Sequence, residues 1–356
     1  MDVLRRRLFT QHMAGPPLEE PADVVRWLGA VQSQDYPGAK WSVGQRVRGC
    51  TDAAMDRAFA SGTILRTHVL RPTWHFVTPD DIRWMLQLTA PHVHALNAYY
   101  YRKLELSAPL FVRSHKMFAK ALAGGQACTR SQLAAMLAKA GIVADKLRLA
   151  YIMMHAELDE LVCSGPLRGK QHTYMLLEER APNARRLDRA AALAELARRF
   201  FTSHGPATLK HFVWWSGLSV AAANAGLEAV KRHLTSVAIA GTTFWAGDAQ
   251  PAAKEKATTA YLVPEYDELL IGSKDLSVPD LPPAKRLGVW SDSFFRPVII
   301  DAKRAGTWRR SITKDTARIE TNLFTSLNAA QARALTAAAK RYGKFLDMPV
   351  VLIPYN

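Results

Sequence analysis

Residues 191–245, AALAELARRFFTSHGPATLKHFVWWSGLSVAAANAGLEAVKRHLTSVAIAGTTFW, decide the fold, because their hydrophobic period changes in a fixed order. Leu193, Leu196 and Phe200 recur at helical spacing, so 191–201 reads as a helix with one apolar face. Thr202-Ser203-His204-Gly205-Pro206-Ala207-Thr208 interrupts it with a Gly-Pro turn signal. A short helix resumes over 209–216. Gly217-Leu218-Ser219 then makes a tight turn in which Ser219 can cap a third helix over 220–234. Lys231, Arg232 and His233 crowd the end of that helix. Val237-Ala238-Ile239 and Thr242-Thr243-Phe244-Trp245 read as a strand pair around Ala240-Gly241. Three helices closed by a hairpin is the winged-helix arrangement, a variant of the helix-turn-helix.

The same order is found upstream. A helix over 117–122 stops at Gly124-Gly125, Thr129 caps a second over 130–139, and a third spans 144–159 with Leu147, Tyr151, Met154 and Leu158 on one face. Strands over 161–163 and 173–177 follow, joined by a loop that carries Arg168, Lys170 and His172, as suits a wing lying against phosphates. The N-terminal third is largely helical. Beyond Lys256 the style turns to mixed helix and strand, with strands near 261–264 and 298–300, a hairpin closed by 306–310, a helix over 327–342 and a last strand over 350–353. The fold expected is mainly α with small β-hairpins and sheets, built as tandem winged-helix modules. Four segments are expected: a helical or winged-helix unit at 1–115, winged helices at 116–182 and 183–252, and an α+β unit at 253–356.

Composition narrows the partners. Lys plus Arg number 47 against 31 Asp plus Glu, a net charge of +16, and neutralised phosphates with released counterions account for such an excess directly. No apolar run is long enough for a membrane span, and residues 1–7 are charged with no apolar signal core, so a cytoplasmic protein is expected. Cys50, Cys128 and Cys163 form no CxxC pair and no disulfide framework. His92 and His94 stand at i and i+2 without a carboxylate at metal-ligand spacing, so no metal is expected. GxGxxG, GxxxxGK[ST] and GxSxG are all missing, which removes dinucleotide, P-loop and hydrolase-elbow chemistry and leaves no cofactor. The lack of a heptad or obvious dimerisation helix points to a monomer.

Two stretches place polar groups where a core is expected. A helix starting after Pro21, with Val24, Val25, Leu28 and Val31 buried, runs into Gln32-Ser33-Gln34-Asp35-Tyr36-Pro37 and must end near Pro37. Gln32 and Gln34 converge on one point only if this turn is extended, because i and i+2 share a side in a strand but not in a helix. The second stretch, 65–77, mixes Arg66, Arg71, His68, His75 and Trp74 with strand formers, a pattern suited to phosphate contact and base stacking.

Gln32-Ser33-Gln34 followed downstream by Arg71-Pro72-Thr73-Trp74-His75 resembles the AlkZ-like DNA glycosylases, a tandem winged-helix superfamily that also contains the AlkX (YcaQ) branch. Pro264-Glu265-Tyr266-Asp267-Glu268-Leu269-Leu270-Ile271-Gly272 and Gly306-Thr307-Trp308-Arg309-Arg310 resemble recurring segments of the same family, so the likeness runs from Arg26 to Phe345. It implies winged helices arranged as a C-shape around a DNA channel, with Gln32 and Gln34 as the catalytic pair. Both outer positions match the AlkZ form of the motif, whereas the AlkX branch ends it in Asp. Ser33 departs from the usual aliphatic middle residue.

The expected activity is hydrolysis of the N-glycosidic bond of cationic N7- or N3-alkylated purines in double-stranded DNA, extending to bulky adducts or interstrand crosslinks. Gln32 and Gln34 would hold the attacking water, with Asp35 the second choice as a base. Arg66, Arg71, Thr73, His75 and Trp41 are candidates for lesion-side or backbone contacts. Arg168, Lys170, Lys231, Arg232, Arg309 and Arg310 are candidates for phosphates. The alternatives are a winged-helix transcription regulator that breaks no bond, and a scaffold that docks protein or RNA.

Overall fold

The computed structural model describes residues 2–248, 258–272 and 296–355. These divide into two compact units: Met1–Met55 with Arg198–Phe212 and Val230–Asn356, and Asp56–Ala197 with Val213–Ala229. No helix among the described residues is long and apolar enough to cross a membrane.

The first unit is built on a five-stranded sheet, where small β-hairpins and sheets were expected. Its order is Val350–Tyr355, Ala317–Leu323, Lys303–Ile312, Pro297–Ile300, Ala260–Leu262. Neighbours are antiparallel except Ala317–Leu323 with Val350–Tyr355, which run parallel. Parallel strands require a crossover. The helix Ala329–Leu346 supplies it, started by a capping box of Asn328 and Gln331. The hairpin that opens the sheet turns on Asp301-Ala302, both at positive φ (48° and 57°), between paired Ile300 and Lys303. That is the mirror-image turn whose twist matches the strands it joins. Tyr342 and Phe345 on the crossover helix pack with Trp41, and Tyr342 also meets Trp308, forming the aromatic centre of this unit.

In the second unit, an antiparallel hairpin of Leu65–His68 and Trp74–Val77 precedes the long helix Ile82–Lys103. Then come the helix Ala108–Leu122, a short strand Cys128–Thr129, helices Arg130–Lys139 and Lys146–Leu158, and strands Val162–Arg168 and Gln171–Leu176. The three strands form one antiparallel sheet with Gln171–Leu176 in the middle. Phe118, Leu122, Leu133, Leu137, Ile152 and Met153 close a single core beneath it. The third helix starts two residues later than the periodicity suggests. The strands also run on through most of the expected loop, leaving only Gly169-Lys170 as the turn. Gly169 takes a φ of 61°, which closes so short a connection without steric cost.

Within 183–252 the elements follow the expected order: helices Arg189–Ser203, Leu209–Ser216 and Val220–Val230, then strands Thr235–Ile239 and Thr242–Ala246. The third helix ends at Val230 rather than Leu234, and Lys231–His233 form a 3-10 turn.

Candidate active site

The glutamine segment owes its shape to a glycine and a proline. The helix Pro21–Leu28 begins with Pro21 in its first turn and stops at Gly29, whose φ of 85° breaks the helical path. This is earlier than the Val24–Val31 pattern suggested; Val31 is buried as part of the extended pair Val31–Gln32 instead. Pro37 does not end a helix but sits in the first turn of the next, Tyr36–Gly44, where its missing N–H has no partner to lose. Gln32 to Asp35 is therefore unwound backbone between two helices. Gln32 is 6% exposed and Ser33 fully buried. Gln34 is exposed.

The acidic segment at 264–272 braces this turn. The Glu268 carboxylate accepts the Gln32 backbone N–H at 2.7 Å, while its second oxygen lies 3.3 Å from His204 Nε2. Asp267 makes two contacts to the Arg46 guanidinium, at 2.7 and 2.9 Å, with both side chains wholly buried. It also accepts from Ser42 Oγ at 2.7 Å and from the Leu269 N–H at 2.9 Å. Arg46 fills its remaining donors with the carbonyl and side-chain oxygen of Gln11, at 2.9 and 2.8 Å, and the Ser42 carbonyl, at 2.6 Å. Burial alone would raise the Asp267 carboxyl, but the Arg46 charge and its hydrogen bonds override that and hold it below the usual range. His204 goes the other way. Burial lowers its pKa against the opposing pull of Glu268, so the ring stays neutral.

Asp35 and Glu265 share a cationic neighbourhood. Arg296 lies 3.4 Å from Asp35 and 3.0 Å from Glu265, and Arg310 approaches Asp35 at 3.9 Å. Gly38 leaves room for this arrangement: a Cβ at that position would stand 2.5 Å from an Asp35 carboxylate oxygen and displace that side chain. The carboxylates of Asp35, Glu265, Asp267 and Glu268 are thus each engaged by a guanidinium, an imidazole or a backbone N–H. Sequence reasoning noticed the segment only as a likeness; Arg46, Asp267, Glu268 and His204 were not singled out, and nothing local marks them as partners.

Two arginines and Trp41 behave differently from expectation. Trp41, placed at the lesion by the sequence reading, is a core residue: it is buried, packs on Tyr342 and Phe345, and donates its indole N–H to the Leu262 carbonyl at 2.7 Å. Arg309 is paired with Glu320 through Nε at 2.6 Å, and Arg310 bonds the Tyr342 hydroxyl. A phosphate would have to compete with these partners. Lys231 and Arg232 are exposed on their 3-10 turn.

In the second unit the hairpin residues are mostly internal. His75 is fully buried, donates Nδ1–H to the Thr73 carbonyl at 2.9 Å, and has Arg71 3.4 Å from Nε2. Burial first, then the charge of Arg71, lowers its pKa well below the ordinary value. Arg71 also donates to the Trp215 carbonyl. Thr73 Oγ1 is buried without a hydrogen-bond partner. Arg66 is nearly buried, with its guanidinium over the Trp74 ring at 4.4 Å and its backbone N–H on Ser164 Oγ at 2.7 Å. Arg66 and Trp74 line a cleft of about 530 Å³ together with Arg130, Gln171, His172 and Tyr174. Trp74 had been noted only as part of the 65–77 stretch, and Arg130 was not nominated. Arg168 is exposed at the end of its strand yet donates to Gln132 Oε1 at 3.0 Å and the Ala127 carbonyl at 2.8 Å, whereas Lys170 is exposed on the turn itself.

Residues 25–345 match the family described as DNA glycosylase AlkZ-like. Among solved structures, the DNA glycosylase AlkZ of Streptomyces sahachiroi is similar, with a TM-score of 0.79 at 20% identity over 99% of this chain and 98% of that one. At that identity the likeness speaks to the fold. None of the curated proteins matches the chain. With the match running over nearly its whole length, the chain belongs to the AlkZ-like family of DNA glycosylases.

Proposed function

We propose that the protein is a monofunctional DNA glycosylase that removes cationic N7- or N3-alkylated purines from double-stranded DNA, with a water held by Gln32 and Gln34. The helix and strand order within 108–176 and 189–246 supports reading these segments as winged-helix modules, and the net charge of +16 suits a duplex partner. An alkylated purine of this kind already carries positive charge. When its C1′–N bond breaks, the bonding electrons neutralise the departing base, so no general acid has to protonate it. What remains is to direct a water oxygen at an oxocarbenium-like C1′, with the water's proton passing to solvent. A carboxamide can accept from that water and donate elsewhere, and needs no buried charge to do so.

The observation that carries this reading is the engagement of the acids around the glutamine turn. Asp35 is drawn toward Arg296 and Arg310, Asp267 is locked to Arg46, and Glu268 is spent on the Gln32 N–H and His204. The neutral glutamines are left as the groups suited to hold water. With no acid assigned to the leaving base, unmodified purines and uncharged lesions should be refused, while bulky N7 adducts and crosslinks fit if the base need not enter a closed pocket.

Incubating the protein with duplex DNA containing N7-methylguanine and scoring abasic sites tests the reading. Base release by wild type and its loss in the Gln32→Ala/Gln34→Ala variant is the expected result. Sequence-specific footprinting without base release would transfer the protein to the regulators.

A further inference from the structure

We propose that His94, His155 and Asp159, with His115 beside them, form a binding site for a divalent transition-metal ion of the zinc type. The chain carries no local metal motif here, and the sequence reading dismissed His94 for want of a carboxylate. The tertiary fold supplies one. His94 lies on the helix Ile82–Lys103 and His115 on Ala108–Leu122, while His155 sits in the last turn of Lys146–Leu158 and Asp159 is the cap of that helix. His155 and Asp159, four residues apart, stand on one side of their helix.

The donor atoms are already gathered. His94 Nε2 lies 3.1 Å from Asp159 Oδ1, and His155 Nδ1 lies 3.2 Å from Asp159 Oδ2. His115 Nδ1 is 3.7 Å from that same oxygen. One ligand atom from each of His94, His155 and Asp159 falls within 4.8 Å of the others. Ligands at zinc-bond lengths in a tetrahedron are separated by about 3.3 Å, so a small contraction completes the set.

Beyond the His94–Asp159 hydrogen bond, two further details bear on ligation. His155 Nδ1 is buried beside the carboxylate yet makes no hydrogen bond, and His115 Nε2 is likewise buried without one. Both nitrogens are thus left to be satisfied, and a bound ion would do so. The rings are also held for ligation. His94 Nδ1 meets the Tyr101 hydroxyl at 3.0 Å, which directs Nε2 toward the centre, and Phe111 stacks on the His155 ring with centroids 3.6 Å apart. A cavity of about 360 Å³, walled by Phe111, Val112 and Leu106, opens onto His115, His155 and Asp159 and leaves room for a water or small anion on the ion. Bound there, the ion ties together three helices of the second unit.

The test is a cobalt titration of the full-length chain, free of any histidine tag and stripped with chelator. One equivalent of Co²⁺ should develop the intense visible bands of a tetrahedral site, and Zn²⁺ should displace it and raise the melting temperature. His155→Gln and Asp159→Asn should weaken uptake by more than about 100-fold, and Tyr101→Phe, which removes the hydroxyl that orients His94, by about tenfold. His233→Ala, on an exposed turn, should change nothing. If Asp159→Asn fails to fold by circular dichroism, His94→Gln takes its place with the same expected loss. Cobalt spectra identical between wild type and the His94→Gln/His155→Gln double variant would overturn the site, as would the absence of tetrahedral bands in wild type.

Discussion

Glu268 illustrates how a single buried side chain can govern the proposed chemistry from behind it. One of its oxygens fixes the backbone of Gln32 and the other meets His204, so its removal leaves a buried N–H without an acceptor. Glu268→Ala should cost about 1–3 kcal/mol of stability. Because it also loosens the turn that positions the water, single-turnover release of N7-methylguanine should fall on the order of 100-fold. DNA affinity measured by anisotropy should be nearly unchanged; a loss confined to affinity would contradict the bracing role. Asp267 is a purer structural case. Asp267→Asn removes the countercharge from a wholly buried Arg46, and breaking such a pair costs about 3–5 kcal/mol, to be read from urea unfolding. A shift under about 1 kcal/mol would mean that Arg46 finds other partners as good.

The hairpin of Val162–Arg168 and Gln171–Leu176 makes the same distinction at the level of an element. Arg168 and Lys170 look equivalent in a charge count, yet the Arg168 guanidinium is bonded to Gln132 and the Ala127 carbonyl, tying the hairpin to the segment that leads into the helix Arg130–Lys139. Lys170 has no such tether described and stands on the two-residue turn. Lys170→Ala should therefore weaken binding to any duplex and reduce the slope of log K against log salt by about one. Arg168→Ala should change the slope less and the melting temperature more. Equal salt slopes for wild type and Lys170→Ala would remove the hairpin tip from the proposed DNA contact.

For the molecule as a whole, the buried neutral histidines set how stability depends on pH. His75 and His204 both have folded pKa values below the ordinary 6.5, chiefly from burial, and His172 is lowered to about 4 for the same reason. The unfolded chain takes up these protons near pH 6.5 while the folded chain does not. Their contribution is therefore complete above about pH 6.5 and lost as the pH falls from there toward the folded values. Each fully buried histidine adds a slope of up to about 1.4 kcal/mol per pH unit in that window. Urea melts at pH 7.5, 6.5 and 5.5 should show stability level at first and then declining. His75→Gln should flatten the decline by one proton if the variant folds. A curve that rises on acidification would contradict the burial of these rings.

What could be read along the chain is what short-range physics controls. The switch from helical to alternating period over 191–245, the stop at Gly124-Gly125, the Thr129 cap and the excess of basic side chains all act within a few residues or by simple count. Where those local signals were ambiguous, the reading slipped by a turn: Val31 continues an apolar period yet lies in extended backbone, because Gly29 had already ended the helix. Burial and pairing were decided elsewhere. Glu268 reaches a backbone 236 residues away, Asp267 finds Arg46 221 residues away, Trp41 is drawn into an aromatic core with Tyr342, and His94 meets Asp159 from a helix 65 residues distant. A side chain's charge state and partners depend on which surfaces the folded chain removes from water, and that is a property of contacts between distant segments that no window of neighbouring residues contains.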